Sequence, residues 1–193
     1  MGCASGSACG IIVELDGHEK SVRGELKDLE KIVRRQNPLS LARGLGAAQC
    51  EAIWKIRREF SYSLRDTGLT KLNEDIVVPF RSYVELIRYT REVRDRVGLA
   101  TPTFGHAADG NFHVHIMYDR DNPEHCRKAE TAIHEVMTKV VELGGAITGE
   151  HGIGLAKKPW WTSAVAPEAD ALHRTIKQAL DPGGILNPGK FLG

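Results

Sequence analysis

A chain of 193 residues predicts one domain with a real core and room for a helical appendage. Its 26 basic and 25 acidic side chains leave a formal charge of +1, so no basic patch or acidic tail points to nucleic acid. No apolar run reaches the length of a membrane span, and the first ten residues lack both the charged start and the apolar stretch of a signal peptide.

Residues 1–10 are rich in Gly, Ser and Ala and are expected to be disordered. Cys3, Cys9, Cys50 and Cys126 have no CxxC spacing and read as reduced thiols of a cytoplasmic protein. Residues 11–15 are apolar and predict a short strand closed by a turn at Asp16-Gly17. Residues 22–35 predict an amphipathic helix, with Val22, Leu26, Leu29 and Val33 at helical spacing. A break at 44–48 precedes a second helix over 51–63, which carries Trp54 and the basic run Lys55, Arg57 and Arg58. Asp75-Ile76-Val77-Val78 reads as a strand ending at Pro79. Ser82 is a candidate cap for a helix with Leu86, Ile87, Val93 and Val97 that stops near Gly98. After the strand over 112–118, Asn122-Pro123 opens a helix with Ala129, Ile133, Val136, Val140 and Leu143 on one stripe, ended by Gly144-Gly145. Leu172, Ile176 and Leu180 mark a last helix before Asp181-Pro182. Strands separated by helices, without hairpin-length gaps, predict an α+β fold with helices on one face of a small sheet.

Two stretches concentrate the chemistry. GHAADGNFHVH spans 105–115 and GGAITGEHGIG spans 144–154; together they hold four of the eight histidines. Residues 112–118 alternate, which places Phe112, Val114, Ile116 and Tyr118 on one side of a strand and His113, His115 and Met117 on the other. His106 sits seven residues before His113, across a turn that can fold its ring back. Imidazoles and one carboxylate, for which Glu150 is the obvious candidate, suit a divalent metal such as zinc or manganese. The alternative is a solvated polar strand face. Glu150 and His151 are neighbours, so in extended backbone they point opposite ways, one free for a metal and the other for a substrate proton. No GxGxxG follows a strand and no GxxxxGK[ST] is present, which argues against a nucleotide fold within the chain.

With DPGGILNPGK over 181–190, these stretches resemble the three signature blocks of the FAD-linked oxidase C-terminal domain. That family includes the glycolate oxidase flavoprotein subunit, D-lactate dehydrogenase and D-2-hydroxyglutarate dehydrogenase, and the similarity runs over 11–193. The resemblance implies a ferredoxin-like cap domain that lacks its first strand and helix, followed by a C-terminal helical segment. It implies FAD, bound mostly by a separate domain or subunit, and oxidation of a D-2-hydroxy acid to a 2-oxo acid. It gives His106, His113 and Glu150 as metal ligands and His151 as the base that takes the hydroxyl proton. It gives Arg57 for the substrate carboxylate, with Lys71 as a weaker candidate for the same job, and Asn187 and Lys190 on the flavin side. His115 stands where some relatives carry asparagine, and a substrate contact, a fourth metal ligand and a specificity change are its open roles. Ala108 stands where relatives carry a glycine, so a positive φ there would strain the loop. A metal-dependent hydrolase and a non-catalytic fragment or partner subunit are the competing readings. The electron acceptor and the assembly, a homodimer among the options, stay open.

Overall fold

The computed structural model describes residues 9–192, so Cys3 and most of the first ten residues lie outside the described part. The chain divides into two compact units, Met1–Ser63 and Leu64–Gly193.

In the first unit α1 (Glu19–Arg34) and most of α2 (Ala47–Arg65) follow the two predicted helices. Surface pairs support α1: Arg23 meets Glu19 at 2.7 Å and Arg34 meets Glu30 at 2.7 Å, each one turn apart. Before α2, the Leu45 N–H donates to the Gln49 side chain at 2.9 Å, and the helix begins four residues earlier than its hydrophobic pattern suggested. The strand expected over 11–15 does not form. Ile11 and Val13 are exposed, and this segment joins no sheet among the described residues. An apolar run without a ladder partner has nothing to hold it extended.

The second unit is built on a three-stranded antiparallel sheet of β1 (Thr70–Val77), β2 (Thr103–His106) and β3 (Asn111–Tyr118), in the order β1-β3-β2. β2 and β3 form a hairpin with His106 opposite Asn111, contrary to the expectation that hairpin gaps were absent. β2 is four residues long and contains Gly105, too short and too weak in strand formers to stand out by pattern. Gly105 is required there, because a Cβ would lie 2.1 Å from the Asn111 carbonyl oxygen. The hairpin loop takes its positive φ at Gly110, 80°, and not at Ala108, so the alanine causes no strain.

Leu72, Ile76, Phe112, Val114 and Ile116 share one sheet face. They pack with Leu86, Val93 and Val97 of α3 (Tyr83–Val97) and Ala129, Val136, Met137 and Val140 of α4 (Pro123–Glu142). This is the expected α+β arrangement, with helices on one face of the sheet. Ser82 holds the position before α3, yet its side chain makes no capping bond; the chain enters through a 3₁₀ turn, Phe80–Ser82, set up by Pro79. Gly98, at φ 71°, closes α3 with its N–H on the Arg94 carbonyl. Asn122 caps α4 by accepting from the N–H groups of Glu124 and His125, with Pro123 in the first turn.

Past α4, Val77 and Ala146 exchange two hydrogen bonds of 3.0 and 2.8 Å on the free edge of β1. A ferredoxin-like sheet has four strands; the described sheet has three, and this bridge is what stands at the fourth place. The bridge steers the glycine-rich stretch onto the sheet. The chain continues through two short helical turns, Lys158–Trp160 and α5 (Trp161–Ala164), into α6 (Pro167–Leu180). Trp161 is buried, donates to Asp170 at 2.6 Å and meets Phe191 edge-on at 4.3 Å between centroids. No helix of the described residues is long and apolar enough to cross a membrane.

Candidate functional site

The second face of the sheet is polar. Register places Asp75 opposite His113, Asn73 opposite His115 and His106 opposite Asn111, while Lys71 lies opposite Met117 at the far end. Strand alternation therefore puts Lys71, Asn73, Asp75, Asn111, His113, His115 and His106 on one surface. It is not a solvated face throughout: Asp75 and His115 are buried and His113 is mostly covered.

Asp75 is the centre of this surface. Its Oδ2 accepts three consecutive backbone N–H groups, from Gly149 at 2.8 Å, Glu150 at 2.6 Å and His151 at 2.9 Å. Its Oδ1 accepts from the Asn111 side chain at 2.6 Å. Burial acts to raise the carboxyl pKa, but the His151 N–H, the Asn111 amide and the Glu150 and Gly149 N–H groups outweigh it and hold it well below the usual carboxylate range. The backbone carbonyl of Asp75 also accepts from buried Lys157 at 2.7 Å. Lys157 lies 3.8 Å from buried Glu74; burial pushes the Lys157 pKa down and the Glu74 pKa up.

Three successive N–H groups on one oxygen require a curved backbone, since in an extended strand they alternate. Residues 149–151 are bent. The expectation that extended backbone separates Glu150 from His151 is therefore corrected: their directions are set by a concave loop wrapped on Asp75. Gly149 is needed because a Cβ would lie 2.2 Å from Asn111 Nδ2 and 2.7 Å from Asp75 Oδ1. The Thr148 hydroxyl closes the loop by accepting from the Gly152 N–H at 2.9 Å.

The predicted residues of the two histidine stretches come together here. The His113 and His151 rings are 5.7 Å apart between centroids. His113 Nδ1 is buried without a hydrogen-bond partner, 4.0 Å from Asp75 Oδ1. Desolvation lowers the His113 pKa, Asp75 opposes this, and the charges of His151, Glu150 and His106 all reach the ring. Glu150, His151 and His106 are exposed. The donor types suit a divalent metal, and the buried His113 Nδ1 has no hydrogen-bond partner. Their placement is looser than a formed site, for among the described residues no three His, Cys, Asp or Glu side chains converge on a point that could hold an ion.

His115 is turned away from this cluster. Its ring stacks on Phe104 at 4.7 Å, and Nδ1 lies 3.1 Å from the Pro102 carbonyl, which can only accept. Nδ1 therefore carries the proton of a neutral ring. Desolvation, with the charges of Lys71 and His113 in support, pushes its pKa down to about 4. Lys71 is four residues from Asp75 along β1, roughly 13 Å, so the two mark opposite ends of the polar face.

Asn187 and Lys190 belong to the tail after α6. Asp181 accepts from the N–H groups of Ile185 and Leu186, each at 3.0 Å, and from Lys177, which pins that turn. Asn187 takes a left-handed φ of 49°, and both it and Lys190 project into solvent. Arg57 is half-buried on α2, in the first unit. Sequence reasoning missed Asp75, Asn111 and Lys157 as parts of the site. The available signal was an acid directly before Ile76-Val77-Val78, an ionisable side chain in a strand that burial would otherwise reject.

Residues 2–191 match the family FAD linked oxidases, C-terminal domain. The chain is 30% identical over 191 residues to glycolate oxidase subunit GlcD of Bacillus subtilis, covering 99% of this chain and 41% of that protein. It is 33% identical over 180 residues to the mitochondrial D-lactate dehydrogenase (cytochrome) of Kluyveromyces lactis, covering 90% of this chain and 31% of that one. The chain thus spans less than half the length of these relatives. Among solved structures it resembles 4-ethylphenol oxidase from Gulosibacter chungangensis, in complex with isoeugenol, with a TM-score of 0.59 over 88% of this chain and 37% of that one; at 21% identity this likeness concerns the fold. The match over residues 2–191, nearly the whole sequence, makes this chain a member of the FAD-linked oxidase C-terminal domain family.

Proposed function

We propose that this chain is the substrate-side domain of an FAD-linked oxidoreductase that converts a D-2-hydroxy acid to a 2-oxo acid, working with a flavin-bearing domain or subunit. The observation that carries the reading is the polar sheet face on which His113 meets the loop tied to Asp75, the loop that carries Glu150 and His151. His151 takes the hydroxyl proton at one of its ring nitrogens, while the hydride leaves C2; an exposed imidazole is the side-chain type suited to that exchange near neutral pH. Arg57 is the proposed bidentate partner of the substrate carboxylate, a planar anion that matches a guanidinium. Lys71 and His115 are proposed to act further along the same face, and the Asn187 and Lys190 side chains on the flavin side.

FAD, when bound, supplies the hydride acceptor. A divalent metal, zinc or manganese, is proposed on His106, His113 and Glu150; when bound it supplies a Lewis acid that lowers the pKa of the substrate hydroxyl. The family relationship supports the flavin; the metal rests on the resemblance of the two histidine stretches and on the unpartnered His113 Nδ1. A cytoplasmic location is proposed from the cysteine usage.

The test is product formation. The chain together with its flavin-bearing partner is incubated with glycolate, D-lactate and D-2-hydroxyglutarate plus an artificial electron acceptor, and 2-oxo acid is trapped as its hydrazone. Accumulation from at least one substrate supports the reading. Absence of product from every 2-hydroxy acid, with flavin bound, favours the partner-subunit alternative.

A further inference from the structure

We propose that Asp75 is the positioning residue of the site: its buried carboxylate fixes the 149–151 backbone and thereby aims His151 and Glu150. The role given to His151 rests on the function proposed above; the anchoring itself does not. The geometry is specific in three ways. The three N–H groups of Gly149, Glu150 and His151 end on a single oxygen, Oδ2, so one atom sets the direction of both reactive side chains. The other oxygen is occupied by Asn111, which leaves the carboxylate no freedom to rotate away. Lys157, at the far end of the same loop, closes on the Asp75 main-chain carbonyl, so both ends of the 149–157 segment are tied to one residue.

The loop is a nest of consecutive N–H groups, a shape that elsewhere binds free anions. Here the anion is internal, so the nest serves to orient and not to recruit. Gly149 packs without room for a Cβ against the same carboxylate and amide. A one-carbon addition at 149 must therefore lift the loop without changing any charge, which supplies a second, independent perturbation.

Backbone amide exchange is measured on the full chain for wild type, Asp75→Asn and Gly149→Ala, alongside anaerobic flavin reduction in the chain joined by its flavin-bearing partner. Hydrogen bonds to a buried charge are strong, so exchange at 149–151 should quicken about ten- to a hundred-fold in both variants. The β3 amides should keep their wild-type rates. Displacing a reacting group by about 1 Å costs on the order of 10²-fold, so flavin reduction at saturating substrate should fall by that factor with KM little changed. Wild-type exchange at 149–151 in Asp75→Asn overturns the proposal. So does β3 exchange that accelerates as much as the loop, which marks general unfolding, or undiminished flavin reduction in an active assembly. If exchange responds as expected but the wild-type flavin is reduced by no 2-hydroxy acid, the anchoring stands and the proposed reaction fails.

Discussion

Replacing His115 by glutamine should flatten the acid side of the stability profile. The ring is 1% exposed, with its Nδ1 on the Pro102 carbonyl, and its pKa falls from an ordinary 6.5 to about 4. Between those values the unfolded chain binds a proton that the folded chain refuses, so stability drops as pH falls through 6.5 and the loss is complete near 4. At 1.36 kcal/mol per unit, the loss between pH 7 and about pH 5 comes to about 2 kcal/mol. His113, also depressed, adds a contribution of the same sign. Glu74, whose pKa is raised, acts oppositely, because the folded state takes up its proton first as pH falls. Asp75 is depressed below 3.8, and its contribution is lost only at pH values beneath that window. All three are shared by wild type and variant, so the difference between their slopes isolates residue 115. Urea unfolding at several pH values, followed by tryptophan fluorescence and circular dichroism, reads it out. Parallel pH profiles for wild type and His115→Gln would refute the reasoning.

His106→Ala, His113→Ala and Glu150→Gln should each lower zinc or manganese content in elemental analysis of dialysed protein, while His115→Gln leaves it unchanged; full occupancy in all three would end the metal assignment. Ile116→Ala removes a fully buried side chain from the sheet's apolar face and should cost roughly 2–5 kcal/mol in urea unfolding; a loss well under that range would mean the core closes over the cavity. Arg57→Ala should raise KM for the hydroxy acid more than it lowers the rate of flavin reduction, because the carboxylate is present in ground and transition states alike; an unchanged KM would remove Arg57 from substrate binding.

The helices and the histidine strand were legible because their periodicities are strong: α3 and α4 carry apolar stripes, α4 has an Asn-Pro start, and β3 alternates over eight residues. β2 was hidden by its length and its glycine, and with it the hairpin that puts His106 beside Asn111. The apolar run at 11–15 misled in the other direction, since strand propensity means little without a partner. At the site, spacing brought His106, His113, Glu150 and His151 into view. It could not reveal Asp75, because the contacts to 149–151 join positions more than seventy residues apart in sequence. Nor could alternation distinguish His113, which faces the loop, from His115, which packs on Phe104 under Pro102. The side chains share a sheet face, and what covers each is decided by neighbouring segments.

The most direct test of the account is the reductive half-reaction of His151→Asn in the chain joined by its flavin-bearing partner, followed by stopped flow without oxygen. Loss of a general base removes about 10²–10⁴-fold in rate. Wild-type flavin should therefore bleach on mixing with a D-2-hydroxy acid, and the variant should bleach slower by that factor with flavin still bound. A variant that bleaches as fast as wild type at saturating substrate would contradict the assignment of His151.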